Sequence, residues 1–491
     1  MRYISTRGAI PKNTSSAYAI KTGLASDGGL FMPEIIPSIS LEEIASLTDD
    51  SYPQRAAKIL SKYLTDYTFE ELLSDAENAY SSFFDFPAKV TKLGEDYMLE
   101  LWHGPTCAFK DMALQIMPKL FVRALRKCEE NRTAMILVAT SGDTGKAALE
   151  GYKDVPGTKI KVFYPIDGVS RMQKLQMQTQ EGSNVSVVGI KGNFDDAQNG
   201  VKRIFADSEI SKELDKNGVF LSSANSINWG RLVPQIVYYV SAYCDMVKSK
   251  QIKLGEPIDV CVPTGNFGNI FACYLAKKMG LPVGKLICAS NSNDVLTDFF
   301  VNGVYDKNRV FHTTISPSMD ILISSNLERL LYVTLGAEKT AGYMSLLTKY
   351  GRYELSKEDF ALISKDFIGY SSTETETSTT IRSVYEKENC LIDPHTAVAV
   401  SATCKYKDAN KAERRILTVS TASAYKFAND VYKSLTNETP EDCLSALDML
   451  STLTSVEIPA PLSDIRHKAV IYGESISKEQ MESSVRDFAK E

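Results

Sequence analysis

Short apolar runs alternate with helix-like segments through most of this chain. Six runs rich in Val, Ile and Leu have the length of buried strands, and they cover residues 135–139, 161–164, 185–190, 258–262, 286–289 and 416–419. Between them, apolar residues recur every three or four positions, which is the spacing of an amphipathic helix. Because strands that alternate with helices form parallel sheets covered by helices, the pattern predicts an α/β fold with two parallel-sheet lobes.

The two ends of the chain carry mainly helical patterns. Helical periodicity covers 41–47, 52–64 and 69–80 after a short strand-like start, and it returns in a tail over 432–491. We therefore expect an N-terminal region over 1–90, a two-lobed central region over 91–430 and a helical C-terminal tail over 431–491. Helices are thus expected at both ends of the two lobes.

The composition fits a large enzyme with an acidic surface. The chain has 491 residues, 44% of them hydrophobic, and a formal net charge of −6. This charge argues against a surface for nucleic acid or for an anionic membrane. The nine cysteines have no C-x-x-C spacing and the four histidines are dispersed, so we expect free thiols and no metal site.

Targeting signals are not apparent in the sequence. The first residues contain no apolar signal-peptide core, and no segment approaches the roughly 18 apolar residues of a membrane-spanning helix. We therefore expect a cytoplasmic protein that does not contact a membrane.

A lysine at the boundary between a turn and a helix is the first candidate for chemistry. Lys110 lies between Phe109 and Asp111, after the turn-forming segment 103–108 and before a helical run over 112–127. An amine that is fixed and partly desolvated in this way suits Schiff-base formation with a carbonyl cofactor. Most lysines are solvated surface charges, so the hypothesis needs a second feature.

A glycine loop supplies that second feature. The loop follows the apolar run 258–262 and precedes a helical pattern over 270–279, so that free N–H groups of a helix N-terminus would face an anion. Its glycines permit a close approach of the backbone to a phosphate, and its asparagines donate hydrogen bonds or tolerate left-handed geometry. An ordinary tight turn is the alternative. The loop consists of Gly265, Asn266, Phe267, Gly268 and Asn269.

Another glycine loop lies between the apolar run 135–139 and a helix expected to begin near Ala147. It is not a P-loop, because Thr140 stands where the first glycine is required and Ala147 where the magnesium-binding Ser or Thr is required. The sequence also contains no G-x-G-x-x-G fingerprint, so we expect no dinucleotide cofactor. The hydroxyl and N–H groups of the loop suit a substrate carboxylate or phosphate, and they belong to Ser141, Gly142, Asp143 and Thr144.

Taken together, these segments resemble the threonine synthase family, which are pyridoxal-phosphate enzymes of fold type II. The resemblance covers nearly the full length of the chain, and its motifs occur in the family's order. They are the segments at residues 5–8, 24–31, 109–111, 140–145, 225–231, 265–269, 393–397 and 420–422.

The resemblance implies a cofactor and roles for several residues. The cofactor is pyridoxal 5'-phosphate between the two lobes, with Lys110 as its Schiff-base lysine, the loop 265–269 on its phosphate and Thr421 near its pyridine nitrogen. The loop 141–145 would receive the substrate. Asn228 and Arg231 are candidates for the substrate phosphate, although an ion pair between domains is the alternative for Arg231.

The resemblance also implies a reaction, in which O-phospho-L-homoserine and water become L-threonine and phosphate. The sequence leaves open whether the protein is a monomer or a homodimer. A phospho-lyase that releases 2-oxobutyrate from the same substrate, a serine/threonine dehydratase and a non-catalytic binding protein are the alternatives. The motifs favour a synthase over a dehydratase but discriminate poorly against a phospho-lyase. One departure from the family pattern is prominent, because Ser423 stands where many members have histidine.

Overall fold

The computed structural model describes residues 1–140, 142–167 and 169–491. The strands are β1 (Tyr3–Ser5), β2 (Phe31–Pro33), β3 (Lys89–Leu93), β4 (Asp96–Glu100), β5 (Thr133–Ala139), β6 (Thr158–Pro165), β7 (Val185–Lys191), β8 (Val219–Ser222), β9 (Ile258–Pro263), β10 (Val283–Ser290), β11 (Val304–Asp306), β12 (Arg352–Glu354), β13 (Phe367–Ser371), β14 (Ile416–Ser420) and β15 (Ser475–Ser477).

Helices surround these strands. They are α1 (Ser16–Thr22), α2 (Leu41–Ser46), α3 (Tyr52–Tyr63), α4 (Phe69–Tyr80), α5 (Asp111–Leu114), α6 (Met117–Lys127), α7 (Asp143–Tyr152), α8 (Arg171–Gln178), α9 (Phe194–Ala206), α10 (Ser208–Lys216), α11 (Trp229–Leu232), α12 (Pro234–Lys248), α13 (Gly268–Met279), α14 (Val295–Asn302), α15 (Leu327–Leu335), α16 (Ala337–Tyr350), α17 (Lys357–Ser364), α18 (Glu374–Glu388), α19 (Pro394–Asn410), α20 (Ala428–Thr436), α21 (Cys443–Thr454), α22 (Ala460–Ser463) and α23 (Met481–Lys490). Short 3₁₀ helices are Pro317–Met319, Ala424–Phe427, Asp464–His467 and Lys478–Gln480.

Two mainly parallel sheets form the framework. One has the strand order β13-β10-β9-β14-β4-β3, in which only the edge strand β3 is antiparallel to its neighbour. The other has the order β15-β7-β6-β5-β8, and all its pairs are parallel. The predicted α/β fold with two parallel-sheet lobes is confirmed.

The six predicted apolar runs all lie in central strands, because these strands are covered on both faces. In β5, Ala134, Ile136 and Val138 belong to the main core, whereas Met135 and Leu137 pack with α9 and α23 on the opposite face. In the larger sheet, α19 covers one face, and α12 and α13 belong to the main core on the other. Strands buried on both faces are continuous apolar runs, which is why the sequence pattern revealed them.

Two of the predicted helices differ from the structure. The helical run over 112–127 is interrupted at residues 115–116 between α5 and α6, where Pro118 in the first turn of α6 cannot donate a backbone hydrogen bond. The helix expected near Ala147 already begins at Asp143. Gly145 therefore lies in the first turn of α7. This position requires glycine, because a side chain there would overlap the methyl group of Thr140.

The C-terminal tail is not purely helical. Its residues Ser475–Ser477 form β15, which extends the smaller sheet beside β7, and α23 packs on one face of the same sheet. This three-residue strand at the sheet edge is polar and is held mainly by backbone hydrogen bonds. It is therefore too short to show the apolar pattern from which a strand is predicted. Among the described residues, no helix is long and apolar enough to span a bilayer.

A glycine contact fixes the distance between α7 and α5, the short helix that follows Lys110. A Cβ atom on Gly151 would overlap the carbonyl oxygen of Leu114, so the two helices meet backbone against backbone. Gly342, in the interior of α16, has no atom of a described residue within 4 Å of the position that a Cβ atom would occupy. The two glycines therefore serve as a matched pair, one required for packing and one not.

We expect opposite effects from alanine at these positions. Gly151→Ala should destabilise the protein by about 1–3 kcal/mol, because α7 must move away from α5. Gly342→Ala should stabilise it by about 0.5–1 kcal/mol, because alanine loses less conformational entropy in a helix. Thermal melting of both variants and the wild type checks the prediction, and a Gly151→Ala protein that melts with the wild type would contradict it.

Candidate active site

The candidate residues meet where the strands of both sheets end. Thr421 follows β14 and the loop at Gly265 follows β9 in one sheet, while Gly142 follows β5 in the other. The carboxyl ends of parallel strands are the usual place for ligands in such folds. The segment before Lys110 is attached to this edge, because Phe109 N–H donates to the Thr421 carbonyl at 2.7 Å and Ala108 forms a β-bridge with Ala422.

The Lys110 amine is buried between two polar side chains. Its Nζ donates to Ser318 Oγ at 3.1 Å and lies 3.7 Å from Asp143 Oδ2. Burial lowers the pKa of Lys110 to about 8; Asp143 opposes this shift, and the charges of Arg231 and Lys426 add to it. Burial therefore favours the uncharged form of this amine, the form that can act as a nucleophile, more than in an exposed lysine.

Asp143 is the common partner of two lysines. Its Oδ1 lies 2.8 Å from Lys426 Nζ and accepts from Gln173 Nε2 at 2.9 Å, and its Oδ2 accepts from Ser318 Oγ at 3.3 Å. Burial alone would raise the pKa of Asp143, but the charges of Lys426 and Lys110 outweigh it and hold that pKa well below its usual range. Asp143 is thus a permanent carboxylate, and its described contacts are with the protein's own cations and donors.

Lys426 is a site residue that the sequence analysis missed. It is fully buried, and besides Asp143 its Nζ contacts the Thr106 carbonyl oxygen at 2.9 Å. Thr106 in turn holds Asp111 through its N–H at 2.8 Å and its hydroxyl at 2.7 Å. The lysine lies three residues after Ser423 and matches the lysine of the family pattern in this segment, and that match is the signal that could have identified it.

Ser423 caps the short helix Ala424–Phe427 that carries Lys426. Its Oγ accepts the Tyr425 N–H at 3.3 Å, and its own N–H donates to the Cys107 carbonyl at 3.1 Å. The residue that replaces the family histidine therefore fixes the helix start beside Lys426.

The loop 265–269 has the features of an anion site. Phe267 adopts a left-handed conformation with φ 64° at the start of α13, and a Cβ on Gly265 would lie 2.6 Å from the Ser318 carbonyl oxygen. The carbonyls of Gly265 and Asn266 accept from the segment 324–326, at 2.7 Å from Ser324 Oγ and at 2.9 Å from Asn326 Nδ2. In a trans peptide the N–H points away from the carbonyl. The N–H groups of the same two peptides, which belong to Asn266 and Phe267, therefore face away from the segment 324–326.

Asn269 adds a buried donor to this loop. Its Oδ1 accepts hydroxyl hydrogen bonds from Tyr238 at 2.6 Å and Tyr239 at 2.5 Å, which fix the orientation of the amide. Its Nδ2 is buried and has no hydrogen-bond partner among the described residues. A buried donor of this kind at a helix N-terminus fits an anionic group such as the phosphate of a cofactor.

The loop on the smaller lobe is organised by Thr140. Its Oγ1 accepts the N–H groups of Gly142 and Gly145, both at 3.0 Å, and Gly142 has a φ of 143° that favours glycine. Thr144 Oγ1 accepts from Arg231 Nη2 at 3.4 Å. The remaining candidate of this loop, Ser141, lies outside the described residues.

Arg231 and Asn228 differ in how their side chains are used. Arg231 is buried, donates to the Ala224 carbonyl at 2.9 Å and has no carboxylate partner among the described residues. Burial lowers its pKa to about 10. Asn228 instead caps α11 through the Gly230 N–H at 2.8 Å and donates to the Ile20 carbonyl at 2.9 Å. Arg231 retains donors for an anion, whereas both ends of the Asn228 amide are engaged within the protein.

Arg329 joins three segments behind the site. It is fully buried and donates to the carbonyls of Ile227 at 2.6 Å and Phe31 at 3.2 Å. It also contacts the side chain of Asn326, which holds the Asn266 carbonyl. The loop 265–269, the segment before Arg231 and strand β2 therefore share one anchoring residue, which the sequence pattern did not indicate.

Comparison with known proteins gives a consistent result. The family described as pyridoxal-phosphate dependent enzyme matches residues 87–422, and the family described as threonine synthase N terminus matches residues 2–80. Threonine synthase from Pseudomonas aeruginosa is 39% identical over 450 residues, which cover 90% of this chain and 92% of that protein. Threonine synthase-like 1 from Macaca fascicularis is 40% identical, and the alignment covers 92% of this chain but only 63% of that longer protein.

A solved structure has the same fold throughout. The crystal structure of pyridoxal-phosphate-bound threonine synthase from Brucella melitensis matches with a TM-score of 0.88 and 34% sequence identity, over 100% of both chains. The chain belongs to the threonine synthase family of pyridoxal-phosphate dependent enzymes.

Proposed function

We propose that this protein is a pyridoxal-phosphate enzyme that converts O-phospho-L-homoserine and water to L-threonine and phosphate. The observation that carries the proposal is the buried Lys110 amine, held beside a glycine loop with unused anion donors and near a buried arginine that has no described acidic partner. The relatives named threonine synthase support the choice of substrate. The proposed site residues are Lys110, Gly265, Asn266, Phe267, Gly268, Asn269 and Thr421 for the cofactor, and Gly142, Asp143, Thr144 and Arg231 around the substrate.

The residues present fit this cofactor. The Asn269 amide and the N-terminus of α13 offer donors to its phosphate, and the close approach of Gly265 to Ser318 keeps the loop near Lys110. When bound, pyridoxal phosphate supplies an aldehyde for amines and a conjugated ring that accepts electron density from substrate carbons. Thr421 places a hydroxyl residue on the segment that pairs with Ala108 and Phe109, next to Lys110.

Lys110 is the group proposed to move protons. Its lowered pKa leaves it able to accept a proton from a substrate carbon and to return it, which is the requirement for a general base near neutral pH. Ser318 and Asp143 fix the amine at one place, so that the proton is exchanged at a defined carbon atom.

Arg231 is proposed to bind the phosphate of the substrate. An arginine offers a planar pair of donors that matches a phosphate, and burial excludes competing water. Arg231 contacts Thr144, which lies in the first turn of α7, and the N-terminus of this helix also favours an anion. Asp143 would repel the phosphate, but Lys426 and Lys110 offset its charge.

Product analysis tests the proposed reaction. Protein loaded with pyridoxal phosphate should convert O-phospho-L-homoserine to threonine and inorganic phosphate in equal amounts, because one leaving group departs for each water added. Amino-acid chromatography and a phosphate assay measure both products. Phosphate with 2-oxobutyrate would contradict the synthase in favour of a phospho-lyase, and no phosphate release would contradict the substrate.

Replacement of Lys110 tests its role. Lys110→Ala should retain binding of the cofactor through its phosphate but lose the near-visible absorbance of the lysine-bound cofactor, and turnover should fall at least about 100-fold. Lys161→Ala is the matched control, since burial also lowers the pKa of Lys161 to about 8, yet it lies on β6 beside Ser186. Spectra after gel filtration decide the matter, and normal absorbance in Lys110→Ala would exclude Lys110 as the attachment site.

Replacement of Arg231 tests the phosphate contact. Arg231→Lys should raise KM for O-phospho-L-homoserine roughly tenfold, because an ammonium group cannot reproduce a two-pronged contact, and it should weaken inhibition by inorganic phosphate in parallel. Arg55→Lys is the control, because Arg55 is equally buried but bonds Leu47, Ser241 and Asp245 away from the site. An unchanged KM in Arg231→Lys would assign Arg231 to the fold alone.

A further inference from the structure

The segment 393–397, at the start of α19, carries a buried Asp–His pair. His395 Nδ1 lies 2.6 Å from Asp393 Oδ2, and both residues are buried. His395 Nε2 accepts the backbone N–H of Ser318 at 3.1 Å. Because Nε2 accepts this hydrogen bond, the ring proton lies on Nδ1 and is donated to Asp393. The imidazole therefore serves as an oriented acceptor for the Ser318 N–H.

Ser318 connects this pair with the Lys110 amine. Its backbone N–H is held by His395, and its Oγ accepts from Lys110 at 3.1 Å while donating to Asp143 at 3.3 Å. The chain of contacts therefore runs from Asp393 through His395 and Ser318 to the reactive nitrogen.

The segment around Ser318 is also fixed on its other sides. Asp320 accepts from Thr314 Oγ1 and Asn291 Nδ2, both at 2.7 Å, and from Asn293 Nδ2 at 3.0 Å. The Ser318 carbonyl lies against Gly265, with no space for a side chain between them. Ser318 thus has little freedom to move relative to the loop 265–269.

We propose that Ser318, positioned by the Asp393–His395 pair, holds the free amine of Lys110 whenever that amine is not bonded to the cofactor. The proposal rests on the proposed function only in that Lys110 bonds the cofactor; it does not depend on which product is released. A proton taken by Lys110 from a substrate carbon stays on Nζ and is shared with Ser318 Oγ, with Asp143 behind it, until it is returned. Ser318 thus takes no net proton, and His395 acts as a positioning residue.

The charges around Lys110 set the expected effect of losing the hydroxyl. The amine faces Asp143 from α7, Arg231 from α11 and Lys426 from the helix Ala424–Phe427. Ser318 Oγ is an acceptor that favours the charged form. Without it, burial and the two cations still act, so Lys110 should lose its proton at lower pH.

The titration of Lys110 can be measured without turnover. Full-length protein freed of cofactor is mixed with pyridoxal 5'-phosphate from about pH 6 to about pH 10, and the rise of near-visible absorbance gives the rate at which the uncharged amine reacts. Ser318→Ala should move the midpoint of this profile about one pH unit lower than in the wild type, as expected for the loss of a charge-assisted hydrogen bond. Ser318→Thr, which restores a hydroxyl, should return it.

Controls separate this role from a general loss of structure. Ser434→Ala removes a buried hydroxyl whose one hydrogen bond among the described residues is to the Asp430 carbonyl of its own helix, and its midpoint should match the wild type. A Ser318→Ala midpoint equal to that of the wild type would overturn the proposal. Failure to form threonine with a shifted midpoint would count against the proposed function and leave the role of Ser318 supported.

Variants of His395 test the positioning step and remain decisive if Ser318→Ala does not fold. His395→Leu removes the acceptor for the Ser318 N–H and should shift the midpoint in the same direction as Ser318→Ala. His395→Gln, whose amide oxygen accepts the same N–H, should stay near the wild-type midpoint. Equal midpoints for His395→Leu and the wild type would remove His395 from the proposal.

Discussion

The site depends on one buried carboxylate shared by two lysines. Asp143 comes from the first turn of α7 on the smaller lobe, whereas Lys110 and Lys426 belong to segments at the edge of the larger sheet. Burying a single charge is costly, and removal of Asp143 would leave two buried lysines without their shared carboxylate. This constraint makes the two lobes meet at a defined distance, and the contact of Gly151 with Leu114 sets the same distance through the backbone.

The same arrangement accounts for the lowered pKa of Lys110. If Asp143 served Lys110 alone, the ion pair would favour the ammonium form and keep the amine protonated. Lys426 Nζ lies closer to the Asp143 carboxylate than Lys110 Nζ does, at 2.8 Å against 3.7 Å. The charge of Lys426 therefore offsets much of the attraction between Asp143 and Lys110. Burial then prevails, and the pKa of Lys110 falls to about 8. The charge of the second lysine thus contributes to the lowered pKa of the first.

The fold was largely predictable where its causes are local. The central strands are continuous apolar runs because helices cover both faces, and the loop 265–269 showed its glycines and asparagines directly. The edge strand β15 and the early start of α7 were not predictable in this way. Both depend on partners elsewhere, namely the backbone of β7 for the strand and Thr140 for the glycine inside the helix.

The candidate site was predictable only in part, for a related reason. Lys110 stood out through its immediate neighbours, but Ser318 lies 208 residues away along the chain and His395 a further 77. The sequence around a serine or a histidine contains no local pattern that predicts such a long-range contact. The roles of Lys426, Arg329 and Asn326 were not predicted for the same reason, because each depends on contacts that form only in the folded protein.

The serine at position 423 shows how a departure from a family pattern can leave a site intact. The short helix Ala424–Phe427 begins with free N–H groups that need an acceptor, and the Ser423 hydroxyl provides one for Tyr425. The Ser423 N–H meanwhile ties this helix to Cys107, in the segment before Lys110. What the position must supply in this chain is a cap that keeps Lys426 on Asp143, and a hydroxyl suffices for that. Proton transfer, in our proposal, belongs to Lys110 and needs no imidazole at position 423.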